Sequence, residues 1–108
     1  MDNTHELQSH IQSVRERMSE LIYFKRLMDD QYFQKFILGG YCHDQLVDLV
    51  RVRAVTTDIN TLNMIDRRID SVGQFQHYLK QLQQEFVNVQ QSLADSTELI
   101  NTNSTEDQ

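Results

Sequence analysis

Proline is absent from this chain of 108 residues, and only three residues are glycine. Tight turns depend on these two residue types, because proline presets one backbone angle and glycine accepts conformations that other residues avoid. A turn-rich β-sandwich, a collagen-like chain and a disulfide-rich knot are therefore disfavoured. With 39% apolar and 24% charged residues, the sequence instead predicts a small all-α protein built from long helices.

The spacing of apolar side chains indicates two long helices, at about residues 4–28 and 58–93. Apolar residues recur in alternating steps of three and four, which is the pattern of a coiled-coil-like seam. The second helix would extend roughly 54 Å at 1.5 Å per residue. A compact chain of this size can bury only part of such seams, so we expect a second chain to complete them. The expected partner or oligomer interface comprises Leu7, Ile11, Val14, Met18, Phe75, Leu79, Leu82, Phe86, Val89 and Leu93.

Two short helices are expected between the long ones, at about residues 30–38 and 43–54. Asp29-Asp30 offers a cap for the first of them. Gly39-Gly40 predicts its end, because glycine readily takes the left-handed conformation that follows many helices. The two long helices are predicted to form an antiparallel hairpin, and the two short ones a knob at its end. The residues expected to hold the knob are Tyr32, Phe33, Phe36, Ile37, Leu46, Leu49 and Val50.

Residues 94–108 are predicted to form a disordered acidic tail after a single helical domain at 1–93. The segment is polar and aperiodic, and its four acidic side chains without Lys or Arg account for four of the six net negative charges. An ordinary frayed terminus and a short docking motif at Leu99-Ile100 are the alternatives. The rest of the chain is nearly balanced in charge, which disfavours electrostatic binding of the whole protein to nucleic acid.

The single cysteine, Cys42, cannot form an intramolecular disulfide, which favours a reducing compartment. No apolar run approaches the ~20 residues that span a bilayer, and the N-terminus has no apolar signal core. The sequence therefore predicts a soluble intracellular protein without membrane contact.

The histidines and the cysteine do not form a metal site or a catalytic group in sequence. His5 and His10 are five residues apart and lie on different helix faces, and Cys42-His43 has no partner at metal-ligand spacing. Cys42, His43 and Asp44 contain the groups of a thiol nucleophile, but neighbouring residues direct their side chains apart. A loop with Asp44 as a cap explains this segment better.

Carboxylates recur four residues apart at Glu16/Glu20 and Asp66/Asp70. A two-metal bundle site would also need Glu-x-x-His motifs, which the sequence lacks, so salt-bridged helix faces are the preferred interpretation. No glycine-rich phosphate loop is present. We therefore predict that the protein is not an enzyme and that it has no catalytic, cofactor-binding or metal-binding residues.

The helix–Gly-Gly–helix at 31–54 has the outline of a helix-turn-helix, with Arg51 and Arg53 on its second helix. Base-reading residues are expected near the start of that helix, where Asp44 would repel phosphate. Nucleic acid is therefore not the expected partner.

Two segments resemble proteins of small, largely uncharacterised tailed-bacteriophage families. Residues 24–41 read FKRLMDDQYFQKFILGGY: a leucine-containing helix end, an acidic break, an aromatic residue, an aliphatic pair, glycine and an aromatic residue. Residues 65–79, IDRRIDSVGQFQHYL, are similar to the family's helix with glycine followed by a bulky residue and Tyr-Leu. The resemblance covers about residues 18–86. It implies a phage accessory or virion-morphogenesis protein, and it supplies no catalytic residues.

These patterns together predict a non-enzymatic phage protein in the host cytoplasm or the virion. It would act by protein–protein contact in virion assembly, in packaging or as a minor virion component. The expected partner is a phage structural protein or a host protein, and a homodimer or higher homo-oligomer is also predicted. The alternatives are a small inhibitor of a host defence or transcription protein and a nucleic-acid-binding regulator.

Overall fold

The computed structural model describes residues 3–106 and shows an all-α fold. Helix α1 spans Asn3–Asp29, a π-helix spans Phe33–Asp44, α2 spans Gln45–Val55 and α3 spans Ile59–Glu106. No strand occurs within the described residues. The predicted fold class, a helical hairpin with shorter helical segments between its arms, is confirmed.

The chain divides into two compact units, each with its own buried side chains. The first comprises Met1–Lys25 and Leu82–Gln108, and the second comprises Arg26–Gln81. Ile11 and Leu21 are buried in the first unit, and Leu21 is only 1% exposed. In the second unit the buried apolar side chains come from the π-helix, α2 and α3: Cys42, Leu49, Ile65, Val72 and Leu79.

A charged pair joins the two segments of the first unit. The Arg17 guanidinium donates through Nη2 to Oε2 of Glu85 at 2.8 Å and through Nε to the other carboxylate oxygen. Hydrogen bonding to Arg17 lowers the pKa of Glu85, and the carboxylate raises the pKa of Arg17. A two-pronged pair fixes orientation more strongly than a single contact does, so it sets the alignment of α1 against α3 in this unit.

Asp30 separates α1 from the next helical segment, as its sequence position predicts. Its Oδ1 accepts the backbone N–H groups of Tyr32 and Phe33, each at 2.9 Å. The Gln34 side chain donates to the carbonyl of Met28 at 2.9 Å, which satisfies one free acceptor at the end of α1. The break is therefore capped on both sides.

The predicted helix end at Gly39-Gly40 is wrong. The π-helix continues through both glycines and leads directly into α2, and neither glycine has a positive φ. Apart from the two glycines and Gln45, the buried and half-buried residues from Phe33 to Leu46 recur every four to five positions, which suits the i→i+5 hydrogen bonding of a π-helix better than an α-helix. They are Phe33, Ile37, Leu38, Tyr41, Cys42 and Leu46.

Alanine substitution distinguishes a continuous helix from a helix end at this point. A Cβ atom at Gly40 would lie 3.6 Å from the carbonyl oxygen of Lys35, an ordinary contact, whereas one at Gly39 would lie 3.3 Å from that of Gln34. Gly40→Ala should therefore raise the free energy of unfolding by about 0.5–1 kcal/mol, and Gly39→Ala should raise it less or not at all. Urea denaturation followed by circular dichroism measures both. Clear destabilisation by Gly40→Ala would indicate a helix end instead.

Three residues expected to hold the knob point outward instead. Tyr32, Phe36 and Val50 are 63%, 61% and 54% exposed. Phe36 is exposed because it falls between the positions that recur every four to five residues along the π-helix. Of the other expected knob residues, Leu49 is buried and the rest are half-buried: Phe33, Ile37 and Leu46.

Helix α3 continues to Glu106, so its predicted end at 93 and the disordered tail after it are wrong for the described residues. The heptad spacing continues after Leu93 with Ser96, which is only 7% exposed. Gln91 also donates to Asp95 at 2.9 Å along the helix. Neither proline nor glycine follows Gly73, so nothing in this stretch interrupts the helix. The side chains of Leu99-Ile100 and residues 107–108 lie outside the described set.

Candidate functional site

The second unit carries an apolar groove between α2 and the beginning of α3. Its volume is about 410 Å³. Leu49 and Ile65 form its floor and are 8% and 6% exposed, whereas Val52 and Met64 form its walls and are 48% and 52% exposed. A concave surface of this kind excludes water from an apolar group placed in it. The other lining residues are Gln45, Asp48, Thr61 and Arg68.

The charged residues of the groove differ in what they contact. Asp48 on α2 lies 3.9 Å from the guanidinium of Arg51, one turn along the same helix. Arg68 on α3 has no hydrogen-bond or ion-pair partner among the described residues. The groove therefore combines an apolar floor with a guanidinium that is free to bind a carboxylate from outside the chain.

An ion pair fixes the spacing of the two helices that form the groove. Nε of Arg53 on α2 lies 2.6 Å from Oδ1 of Asp66 on α3, and hydrogen bonding to this carboxylate raises the pKa of Arg53. Both side chains are about half exposed, so water screens the pair and it contributes little to stability. Its main effect is on geometry, because it joins residues 13 positions apart across the turn.

The connection between α2 and α3 is short and capped at both ends. Thr56 donates its hydroxyl to the carbonyl of Val52 at 2.6 Å. Asp58 accepts the N–H of Thr61 at 2.9 Å and its hydroxyl at 2.7 Å, and these bonds lower the pKa of Asp58. Asp58 thus caps the start of α3. Side-chain hydrogen bonds therefore hold the connection between α2 and α3.

The residues expected to form a partner interface lie mostly on the inner faces of the two units. Ile11 and Leu79 are buried, and the other eight are half-buried. Their partial exposure leaves some surface for a second chain, so their role as an interface stays a prediction. The half-buried residues are Leu7, Val14, Met18, Phe75, Leu82, Phe86, Val89 and Leu93.

The Cys42-His43-Asp44 segment combines a buried thiol with two exposed polar side chains. Cys42 is 3% exposed, and burial raises the pKa of its thiol, which disfavours the reactive thiolate. His43 and Asp44 contact each other at 2.9 Å, but their side chains are 74% and 76% exposed. Gln76 donates to the carbonyl of Cys42 at 3.4 Å, which ties the segment to α3. The thiol therefore acts as a packing group.

Three of the four recurring carboxylates, those of Glu16, Glu20 and Asp66, contact polar side chains of the chain itself. Glu16 accepts from Gln12 at 3.3 Å, and Glu20 accepts from Arg17 at 2.7 Å. Among the described residues, no group of three or more His, Cys, Asp or Glu side chains is placed to hold a metal ion. In the same part of the chain, no helix is both long and apolar enough to cross a membrane.

Comparison with protein-family models, with curated proteins and with solved structures gives no match. The groove must therefore be interpreted from its own chemistry. The sequence does not predict that Val52 and Met64 line a groove, because neither residue lies in a heptad seam. The sequence feature that indicates this surface is the number of apolar residues on α2, since they are spread too widely around the helix for all of them to be buried.

Proposed function

We propose that this chain is a non-enzymatic bacteriophage accessory protein that acts by protein–protein contact. It would work in virion assembly, in packaging or as a minor virion component, within the host cytoplasm or the virion. The resemblance of residues 24–41 and 65–79 to tailed-phage proteins supports the phage assignment. The exposed apolar groove supports the mode of action.

The exposed apolar side chains of α2 are the observation that carries the proposal. In this chain Leu49 is buried, but Val47, Val50 and Val52 remain 42%, 54% and 48% exposed, and Val55 at the end of the helix is 80% exposed. Several exposed apolar side chains on one short helix are typical of sites of protein contact. A partner that covers α2 would remove it from water.

The groove also defines the chemistry of that partner. An apolar side chain fits against Leu49 and Ile65, and a carboxylate near it can pair with Arg68. We therefore propose a protein partner that presents an apolar segment with an acidic residue. A helix can present both groups together. The first candidate is a phage structural protein.

A host defence or transcription protein is the alternative partner, and it could use the same groove. The nucleic-acid alternative is weaker, since Arg51 and Arg53 both lie near carboxylates of the chain, at 3.9 Å and 2.6 Å. Net charge of −6 also opposes phosphate binding.

Mass spectrometry of purified particles and assembly intermediates tests the proposal, using a phage that encodes this chain. We expect the chain in the particles or in a precursor, in a fixed ratio to a structural protein. Its absence from both, with stoichiometric recovery of a host protein from an infected-cell pull-down, would replace the virion role with host inhibition. Binding to duplex DNA at low salt without either protein partner would support the regulator instead.

A further inference from the structure

The α2–α3 groove presents the same spacing of side chains on both of its helices. Six of its lining residues follow the spacing i, i+1 and i+4 twice, as Asp48, Leu49 and Val52 on α2 and as Met64, Ile65 and Arg68 on α3. This spacing places each set on one side of its helix. Two helix pairs with such sides can pack on each other, because the exposed positions then become the core of a four-helix bundle.

Opposite charges lie on opposite walls of the groove, Asp48 on α2 and Arg68 on α3. Arg68 has no hydrogen-bond or ion-pair partner among the described residues, and the 3.9 Å between Asp48 and Arg51 is too long for a hydrogen bond. Asp48 lies seven residues before the end of α2, and Arg68 lies nine residues after the start of α3. Their levels along the two helices therefore differ by only roughly 3 Å, so the groove can pair its charges with those of a copy of itself.

The net charge of the second unit permits two copies to meet through it. Its residues, Arg26–Gln81, include seven basic and seven acidic side chains, so the unit is neutral. The two segments of the first unit include three basic and nine acidic side chains, which account for the whole net charge of −6. Like net charges oppose association. The groove lies within the neutral unit, where this opposition is absent.

We infer that the groove binds the groove of a second copy, with a two-fold axis that runs along the groove. This axis places α2 of each copy over α3 of the other at the same level. Asp48 of each copy then lies opposite Arg68 of the other, and the contact occurs twice. An axis across the groove would instead place α2 over its own copy. The two Asp48 carboxylates would then meet, since Asp48 is near the middle of the α2 wall, which extends from Gln45 to Val52.

The same axis covers the exposed apolar walls of the groove. Val52 lies three residues before the end of α2, and Met64 lies five residues after the start of α3. Val52 of each copy is therefore opposite Met64 of the other. These side chains are 48% and 52% exposed in the single chain, and their burial favours association. Two such short faces bury less than the ~1,200 Å² of a standard interface, so the dimer should be reversible.

A second copy and the protein partner proposed above occupy the same groove, so each excludes the other. The dimer keeps the groove covered until a partner of higher affinity is present. This competition rests on the proposed function, whereas the dimer itself does not.

Sedimentation velocity of the purified full chain over a wide concentration range measures the dimer without any phage component. The wild type should dimerise reversibly. Val52→Glu should weaken association by at least about tenfold, because it places a carboxylate in the apolar contact. Val50→Glu makes the same change on the same helix outside the groove lining and should leave the dimer intact. A wild type that is monomeric at all concentrations, or a Val52→Glu variant that dimerises normally, would overturn the inference and leave the groove to a different protein.

Charge reversal tests the pairing of the two walls. Asp48→Arg and Arg68→Asp should each weaken the dimer by at least about tenfold, because each places like charges opposite one another twice. An equal mixture of the two variants should form a heterodimer, since every arginine of one then faces an aspartate of the other. Arg67→Asp makes the same change in charge outside the groove lining and should leave the dimer intact. Circular dichroism establishes that each variant stays helical. A mixture that does not associate, or equal weakening by Arg67→Asp, would contradict the inferred contact.

Discussion

Leu21→Ala should lower the free energy of unfolding by about 2–4 kcal/mol, the cost of removing a buried side chain and leaving a cavity. Leu21 is 1% exposed and is one of the most deeply buried side chains of the described residues. The first unit has few fully buried side chains, so the loss is large relative to the total stability of a small protein. The melting temperature should fall by roughly 10 °C or more, as measured by calorimetry.

Leu27→Ala supplies the control in the same helix with the same chemical change. Leu27 is 46% exposed, so its loss should cost no more than about 1 kcal/mol. Equal destabilisation by the two substitutions would contradict the position of α1 in the structure, because it would mean that Leu21 and Leu27 are equally buried.

The thiol of Cys42 should react with a water-soluble disulfide reagent about a thousandfold more slowly in the native chain than in urea, if opening costs about 4 kcal/mol. The side chain is 3% exposed, and burial raises its pKa. Both effects suppress attack, because the thiolate must form and must reach the reagent. Ser71→Cys provides an exposed thiol on α3 that should react rapidly in the same molecule. Rapid reaction of Cys42 in native buffer would contradict its burial.

The raised pKa of Cys42 also gives a pH dependence with a definite sign. The native state keeps the thiol proton to a higher pH than the unfolded chain does. The resulting stability is therefore complete below the ordinary thiol pKa and is lost as the pH rises through the higher folded value. Urea denaturation at neutral and alkaline pH, compared with Cys42→Ser, isolates this contribution.

The long helices could be predicted because their apolar spacing repeats over many residues. Ile11, Leu21, Ile65 and Val72 lie at seam positions, and all four are buried. The π-helix could not be predicted in the same way, since Gly39-Gly40 matches the pattern of a helix end equally well. What decides its conformation is packing across the unit, such as the edge-to-face contact of Tyr41 with Phe75 at 5.8 Å.

The predicted end of α3 at residue 93 is wrong for a related reason. A polar sequence predicts disorder when composition alone is considered. Ser96 nevertheless takes the next seam position and is buried against the first unit's other residues. A small polar side chain can occupy such a position without adding a hydrophobic signal, so sequence periodicity does not reveal it.

The groove could be predicted only in part. Leu49 is a predicted core residue of the knob, and it is buried. Val52 and Met64 are half exposed beside the pair of Arg53 and Asp66, which joins α2 to α3 with an Nε–Oδ1 distance of 2.6 Å. That ion pair joins two helices across a turn, and neither helix predicts it alone.

The most direct test of protein contact through this groove is the amount of the chain found in purified phage particles carrying Met64→Glu. Met64 lines the groove and is 52% exposed, so a carboxylate there should leave the fold intact while opposing an apolar partner. Asn63→Glu adds the same charge at the neighbouring exposed position, outside the groove lining. We predict that Met64→Glu lowers incorporation by at least about tenfold and that Asn63→Glu retains it. Equal incorporation of both variants and the wild type would contradict the assignment of the groove as the binding site.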